Sequence, residues 1–131
     1  MPHLDRSQIA AIFLGGMAGS LLRVWLARSF PASAGAWPWV TFAINVSGSF
    51  TLACVATHVQ LRLRDRYLAP LLGIGFCGAY TTFSTMQIEL LQMIDRQRWD
   101  LAAGYGLASV TAGYLAIVAG TVLVRRAWRR A

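Results

Sequence analysis

Polar and small residues are concentrated in one otherwise apolar stretch, residues 73–89, which reads GIGFCGAYTTFSTMQIE. It contains three glycines, a run of hydroxyl side chains around one phenylalanine, and Glu89, the only glutamate of the chain. Non-helical backbone and hydroxyl groups at membrane depth persist only where they are buried in protein or line a watery path. The stretch therefore predicts a helix that breaks near its centre, beside a path for a polar solute or an ion.

The side chains after these glycines are spaced to form one polar stripe. Thr82, Thr85 and Glu89 follow one another at i, i+3 and i+7, and therefore share one face of a helix. Phe83 and Met86 are three residues apart and share the adjacent face. Such a pair usually packs in a core, but its position beside a hydroxyl stripe favours a path lined by both.

Two further polar side chains lie inside apolar spans, and each has two interpretations. Arg23 follows the sequence GGMAGSLL, and its guanidinium could either snorkel to the headgroups or attract anions into a vestibule. Asn45 lies in the middle of TFAINVSGSF, and its amide could either hydrogen-bond a neighbouring helix or donate to an anion.

Composition places these residues in a membrane protein. Of the 131 residues, 56% are apolar and 13% are charged, and the mean hydropathy is +0.52. Four apolar spans have about the 20 residues needed to cross the hydrocarbon, at about residues 8–26, 38–59, 67–94 and 101–124. We expect an all-α integral membrane protein in which residues 1–131 form a single domain of four transmembrane helices, with the third helix broken.

The net charge of +7 comes from twelve arginines, most of them at span ends. Arginines in such places are typical topology signals and headgroup anchors, so we expect a lipid bilayer as the partner and no nucleic acid. One side of the membrane is predicted to carry eight of them: Arg6, Arg62, Arg64, Arg66, Arg125, Arg126, Arg129 and Arg130. The other side carries three or four, so both termini are predicted to be cytoplasmic.

Small residues predict a tightly packed bundle. Eleven of the twelve glycines lie in the spans, and Gly15 and Gly19 form a GxxxG pair. Four thin helices do not easily enclose a polar path, so we expect a dimer or a larger assembly. Cys54 and Cys77 have neither disulfide-framework nor metal-site spacing, and no catalytic or nucleotide-binding motif is present, so no enzyme is expected.

Four blocks of sequence together resemble the Fluc/CrcB family of bacterial fluoride channels. They are GGMAGSLLR from Gly15, WPWVTFAINVSGSF from Trp37, GFCGAYTTFSTMQIE from Gly75 and, more weakly, residues 105–113. The resemblance implies a passive, fluoride-selective channel in the bacterial inner membrane that lets fluoride leave the cytoplasm and so lowers its toxicity. It further implies an antiparallel, dual-topology homodimer with two pores.

The resemblance also assigns residues to roles. The backbone carbonyls of Gly78 and Thr81 would hold a structural Na⁺ at the centre of the dimer. The fluoride pore would be lined by Arg23, Thr41, Asn45, Thr82, Phe83, Thr85, Met86, Glu89, Tyr105 and Ser109. The chemistry suits a small, strongly hydrated anion, because amide and hydroxyl donors and the positive edge of a phenyl ring can replace its water.

Three departures from the family pattern stand out. Met86 takes the place of a usual second phenylalanine, and Gly113 and Ile117 thin the hydroxyl track of the fourth span. The arginine bias is also large for a protein that inserts in both orientations. One subunit of a heteromeric fluoride channel is therefore an alternative to a homodimer.

Two readings outside the family also remain. In one, the chain is a small proton-coupled exporter that uses Glu89 as its carboxylate. In the other, it is a membrane scaffold in which the glycines and Asn45 serve packing alone.

Overall fold

The computed structural model describes residues 5–33, 35–61 and 66–130, and all regular structure in these ranges is helical. Helix α1 spans Arg6–Ser29 and α2 spans Trp39–Leu61. A π-helical segment, Ala69–Cys77, continues directly into the short helix α3, Gly78–Tyr80. Helices α4, Phe83–Asp95, and α5, Trp99–Arg130, complete the chain. The all-α expectation is confirmed.

Three of these helices, α1, α2 and α5, are long and apolar enough to cross a membrane. The span expected at 67–94 is instead divided among the π-helical segment, α3 and α4, which have 9, 3 and 13 residues. α5 continues six residues beyond its expected end at Val124, because arginine and alanine still favour helix where the apolar run stops. The chain is thus a multi-pass membrane protein.

The start of α1 is tied to the chain that enters the π-helical segment. Asp5 and Gln8 form a capping box, in which Gln8 N donates to Asp5 Oδ1 at 2.8 Å. The Gln8 side chain also donates to the carbonyl of Arg66, at 3.2 Å, and Arg66 pairs with Asp5. That carbonyl accepts a side-chain donor because Pro70, four residues later, has no backbone N–H to close a helical bond with it.

Glycines bring α1 and the π-helical segment into backbone contact. Gly15 and Gly19 are the buried residues of α1, and a Cβ on either would collide with a carbonyl, of Leu71 and Phe76 respectively. Gly75 faces the backbone of α1 from the other side. The predicted GxxxG packing pair is therefore confirmed, with the π-helical segment as its partner.

Helices α2 and α5 pack together through a second set of small residues. A Cβ at Gly120 would lie 2.8 Å from the carbonyl of Phe50 and 3.1 Å from Cβ of Ala53. Ala116, one turn earlier on α5, is also buried. Close approach at this contact packs the second half of α5 against α2.

A tight turn joins α4 to α5 and places them antiparallel. Gln97 adopts the left-handed conformation, with φ 59°, and Arg98 N donates to Met93 O at 2.8 Å. These bonds form a Schellman-type helix end. Beside the turn lies a cluster of buried residues, in which Tyr105 packs edge-on against Trp37 with ring centroids 5.4 Å apart.

Many large apolar side chains point outward from the bundle. Phe13, Leu21, Leu107 and Val110 are each about two-thirds exposed or more, at 67%, 68%, 71% and 70%. An apolar exterior of this kind suits contact with lipid or with another membrane protein, and it leaves the interior to the polar residues described next.

We expect Gly15→Ala to lower the free energy of unfolding by about 1–3 kcal/mol, because the new methyl group has no room against the π-helical backbone. Gly16→Ala is the matched control, since its Cβ would meet only the carbonyl of Gly75 at 3.9 Å. That variant should be neutral or gain up to about 1 kcal/mol of helix propensity. Thermal unfolding of both purified proteins in detergent measures the difference, and equal stabilities would contradict the packing described.

Candidate functional site

The helical path is interrupted at Thr81 and Thr82. Both residues are extended, with φ −75°, ψ 155° and φ −146°, ψ 113°. Helical bonding ends where Cys77 O accepts both Thr81 N, at 3.0 Å, and Thr81 Oγ1, at 2.9 Å. Thr82 then caps α4, because its Oγ1 accepts from Thr85 N at 3.2 Å and lies 2.8 Å from Thr85 Oγ1.

The side chain of Asn45 clamps this interruption from α2. Its Nδ2 donates to Thr82 O at 3.0 Å, and its Oδ1 accepts from Thr82 N at 2.8 Å. The amide thus pairs with the backbone of one residue as a neighbouring strand would. Nδ2 carries two hydrogens, so a second donor remains beyond the clamp. Of the two interpretations of Asn45, the interhelical bond is the one the structure contains, and the second N–H leaves the other open.

The clamp frees carbonyls that a continuous helix would bond. Thr82 N would close the helical bond of Gly78 O, but it donates to Asn45 instead. Thr85 N would close that of Thr81 O, but it donates to the Thr82 side chain. Gly78 is exposed, and a Cβ there would meet no atom within 4 Å. Hard carbonyl oxygens without their helical donors are suitable ligands for Na⁺, so the predicted sodium ligands fit their chemistry.

Arg23 donates a hydrogen bond to a third carbonyl at the interruption. Its Nε donates to Ala79 O at 3.0 Å, and the helical partner of that carbonyl would have been the amide of Phe83, beyond the break. The side chain is half-buried. Arg23 therefore reaches back to the broken helix, on the side packed against α1, and it lines neither of the two cavities described below.

A cavity of about 290 Å³ opens beside the break. It brings together five of the predicted pore residues, Asn45, Thr82, Phe83, Met86 and Ser109. Thr81 also lines it, through a close contact of its methyl group with Gly48 that any larger residue at position 48 would prevent. Its remaining lining residues are Ser49, Leu52 and Val110.

Two side chains at this cavity have unusual surroundings. The Phe83 side chain is 67% exposed although it follows a buried residue, Thr82. The hydroxyl of Ser109 is buried and has no partner at hydrogen-bond geometry among the described residues. An exposed ring edge and an unpaired hydroxyl are both available to a small anion.

The other predicted residues form a second cluster further along α4. Glu89 accepts hydrogen bonds from Thr41 Oγ1 at 2.6 Å and from Tyr105 Oη at 2.8 Å. Thr41 and Tyr105 are buried. A second cavity, of about 400 Å³, opens toward the end of α1 and includes Thr41, Thr85 and Glu89 in its lining. Thr85 lies between the two clusters, since Thr82 at the first cavity touches its hydroxyl.

Some residues that line the first cavity were not among the site residues predicted from the sequence. Ser49 is four positions after Asn45 and therefore shares its helix face. The spacing rule that grouped Thr82 with Glu89 would also have predicted Ser49 beside Asn45. Gly48 lies three positions after Asn45, where its lack of a side chain admits Thr81. The hydroxyls of Ser47 and Tyr80 are 3.1 Å apart and link α2 to α3. No spacing in the sequence predicted this contact.

These features define a small multi-pass membrane protein built around an interrupted helix with amide, hydroxyl and phenyl groups at its cavities. The chain belongs to the CrcB family, since the family described as "CrcB-like protein, Camphor Resistance (CrcB)" matches residues 10–121.

Relatives align over nearly the whole chain. It is 46% identical over 127 residues to "Fluoride-specific ion channel FluC 1" of Mycolicibacterium paratuberculosis, which covers 96% of both proteins. It is 41% identical over 115 residues to "Fluoride-specific ion channel FluC" of Gloeobacter violaceus, covering 80% of this chain and 91% of the relative. A FluC 3 of Streptomyces avermitilis is 35% identical over 129 residues, covering 98% and 63%.

We expect Asn45→Ala to lower the free energy of unfolding by about 2–4 kcal/mol, because two hydrogen bonds to the Thr82 backbone are lost inside the bundle. Ser49→Ala is the control, since it alters the wall of the same cavity without touching the clamp. Thermal unfolding in detergent measures both. A loss no larger for Asn45→Ala than for Ser49→Ala would mean that the clamp does not hold the break.

Proposed function

We propose that this protein is a fluoride-selective channel that lets fluoride leave the cytoplasm by passive diffusion and so lowers its toxicity. The observation that carries the proposal is the cavity at the break, in a chain 46% identical to a protein named a fluoride-specific ion channel. The relatives are named as channels, which agrees with the expectation that the chain is no enzyme.

The groups around the cavity suit a small, strongly hydrated anion. Asn45 offers its second N–H, Ser109 an unpaired hydroxyl, and Phe83 an exposed ring whose positive edge attracts anions. The N-terminus of α4, at Phe83, adds the positive end of a helix dipole at the same place. Together these donors replace part of the hydration shell of the anion.

We further infer that fluoride passes from this cavity toward the second cluster along α4. Thr82 and Thr85 present adjacent hydroxyls, 2.8 Å apart, and Thr85 and Glu89 both line the second cavity. Thr41 and Tyr105 each donate to Glu89, so their hydroxyls turn toward an anion whenever that carboxylate is displaced or protonated. Arg23, bonded to Ala79, adds a positive charge on the other side of the break.

The active unit is proposed to be an antiparallel, dual-topology homodimer in the bacterial inner membrane, in which the π-helical segment, α3 and α4 together form one broken membrane crossing. Supporting this, Phe83 and Gly78 are exposed on the single chain, although both flank the polar interruption. A partner covering this face would complete the wall of the path. The carbonyls of Gly78 and Thr81 would then hold a structural Na⁺ at the dimer centre, where its charge favours a nearby anion.

A heteromeric channel is the alternative that the arginine distribution favours. Eight arginines lie on the predicted cytoplasmic side and three or four on the other, a bias that opposes insertion in both orientations. In that case a partner subunit of opposite bias would supply the second half. The proton-coupled exporter remains a second candidate, because Glu89 is a membrane-embedded carboxylate with two hydrogen-bonded neighbours.

Liposomes that contain only this chain should release fluoride and retain chloride, without ATP and without a proton gradient. Empty liposomes give the background, and ion-selective electrodes measure both anions. Chloride release comparable to fluoride release would overturn the channel proposal. Release that requires a proton gradient and is abolished by Glu89→Gln would establish the exporter instead, and no release from this chain alone would favour the heteromer.

Phe83→Ile should lower the rate of fluoride release at least about tenfold, because the ring edge is lost while apolar bulk remains. Met86→Phe should leave the rate intact or raise it, because it adds a ring where a thioether now fills the space. Phe13→Ile is the matched control, since Phe13 is equally exposed, at 67%, but lies on α1 outside this cavity. Unchanged release from Phe83→Ile, at equal protein density, would rule out the aromatic-edge mechanism.

A further inference from the structure

A separate cavity, of about 270 Å³, lies where the C-terminal ends of α2 and α5 meet. Its lining consists of Leu61, Arg125, Trp128 and Arg129. Arg125 and Arg129 are four residues apart, so their guanidinium groups project from one face of α5, with Trp128 beside them. None of these residues takes part in the path proposed for fluoride.

The length of α5 sets the depth of this cavity in the membrane. Its 32 residues extend about 48 Å at 1.5 Å per residue, whereas the hydrocarbon layer is about 30 Å thick. Because α5 begins at Trp99 on the opposite side and its apolar run ends at Val124, its last turns rise through the headgroup layer. Tryptophan at position 128 suits that layer, where indole rings are enriched.

The chemistry of the lining suits a phosphate diester. Guanidinium groups bind phosphate oxygens through paired N–H donors, and Arg125 and Arg129 present two such groups at one opening. Leu61 and Trp128 supply an apolar wall on either side. Among the described residues that line the cavity, none is acidic.

The adjoining surface distinguishes a lipid from free phosphate. Val118 and Val122, which share the face of α5 that carries Arg125 and lie deeper in the membrane, are 40% and 38% exposed. An acyl chain attached to a headgroup in the cavity would descend along such apolar residues into the hydrocarbon. A soluble phosphate would gain nothing from them.

We propose that the cavity between the ends of α2 and α5 binds the headgroup of an anionic phospholipid, with Arg125 and Arg129 on its phosphate and Trp128 at its glycerol level. The other two arginines of this helix end, Arg126 and Arg130, lie outside the cavity lining. They carry the same charge at nearly the same depth, so they separate binding in a cavity from attraction to a charged surface.

The experiment compares retention of phosphatidylglycerol and phosphatidylcholine with identical acyl chains by native mass spectrometry of the purified protein in mixed micelles. The parent should retain phosphatidylglycerol at least about fivefold more than phosphatidylcholine. Arg125→Gln with Arg129→Gln should reduce this ratio to within about twofold of one. Arg126→Gln with Arg130→Gln removes the same charge and should keep most of the preference.

Equal losses in the two double variants would overturn the proposal, because they would indicate a diffuse attraction to the helix end. A parent with no preference would overturn it as well. Inorganic phosphate at about 10 mM should leave retention unchanged, and displacement by it would mean that the arginines bind free phosphate rather than a lipid. Circular dichroism of all variants should coincide, since glutamine and arginine have similar helix propensity.

Discussion

The pair of hydrogen bonds between the Asn45 amide and the backbone of Thr82 determines where the helical path is interrupted between α3 and α4. An extended residue inside an apolar bundle needs partners for its N–H and C=O, because water is not there to provide them. Asn45 provides both from one side chain, at 3.0 and 2.8 Å. With Thr82 fixed, α4 must begin at Phe83, and the directions of Phe83, Met86 and Glu89 around that helix follow from this start.

The backbone groups released by the break are then used in three different ways. The Ala79 carbonyl accepts a hydrogen bond from Arg23. This bond places a charged residue of α1 against the broken helix, and the contact itself contains no carboxylate. The Thr82 hydroxyl caps α4 and aligns with Thr85. The Gly78 and Thr81 carbonyls lose their helical donors on a face where Gly78 has no side chain to cover them. One interruption thus brings carbonyl oxygens without their helical donors close to amide and hydroxyl groups.

Much of this arrangement could be predicted from the sequence, because it depends on local patterns. Glycines and hydroxyls in an apolar stretch indicated the break, the Gly15–Gly19 spacing indicated the close contact, and the spacing of Thr82, Thr85 and Glu89 indicated their common face. Partners from distant parts of the chain could not be predicted from such patterns. Thr41 bonds Glu89 across 48 positions, and Arg23 bonds Ala79 across 56, and many other acceptors were equally compatible with the sequence.

The π-helical winding of the segment before α3 could not be predicted from the sequence pattern either. The residues from Ala69 to Cys77 form a π-helix, and the apolar run there is compatible with either winding. Gly75 brings the backbone of this segment against α1, whereas Gly73 faces Leu52 and Val55 of α2.

The exposure of Gly78 also has a consequence for a single subunit dispersed in lipid. Thr82 N and Thr85 N do not close the helical bonds of the Gly78 and Thr81 carbonyls, and a carbonyl that finds no other donor costs several kcal/mol in hydrocarbon. A subunit surrounded only by lipid would be destabilised by that full amount, whereas a neighbouring protein, a bound ion or a trapped water molecule would reduce the cost. The interruption therefore makes the stability of a single subunit depend on what covers this face in the membrane.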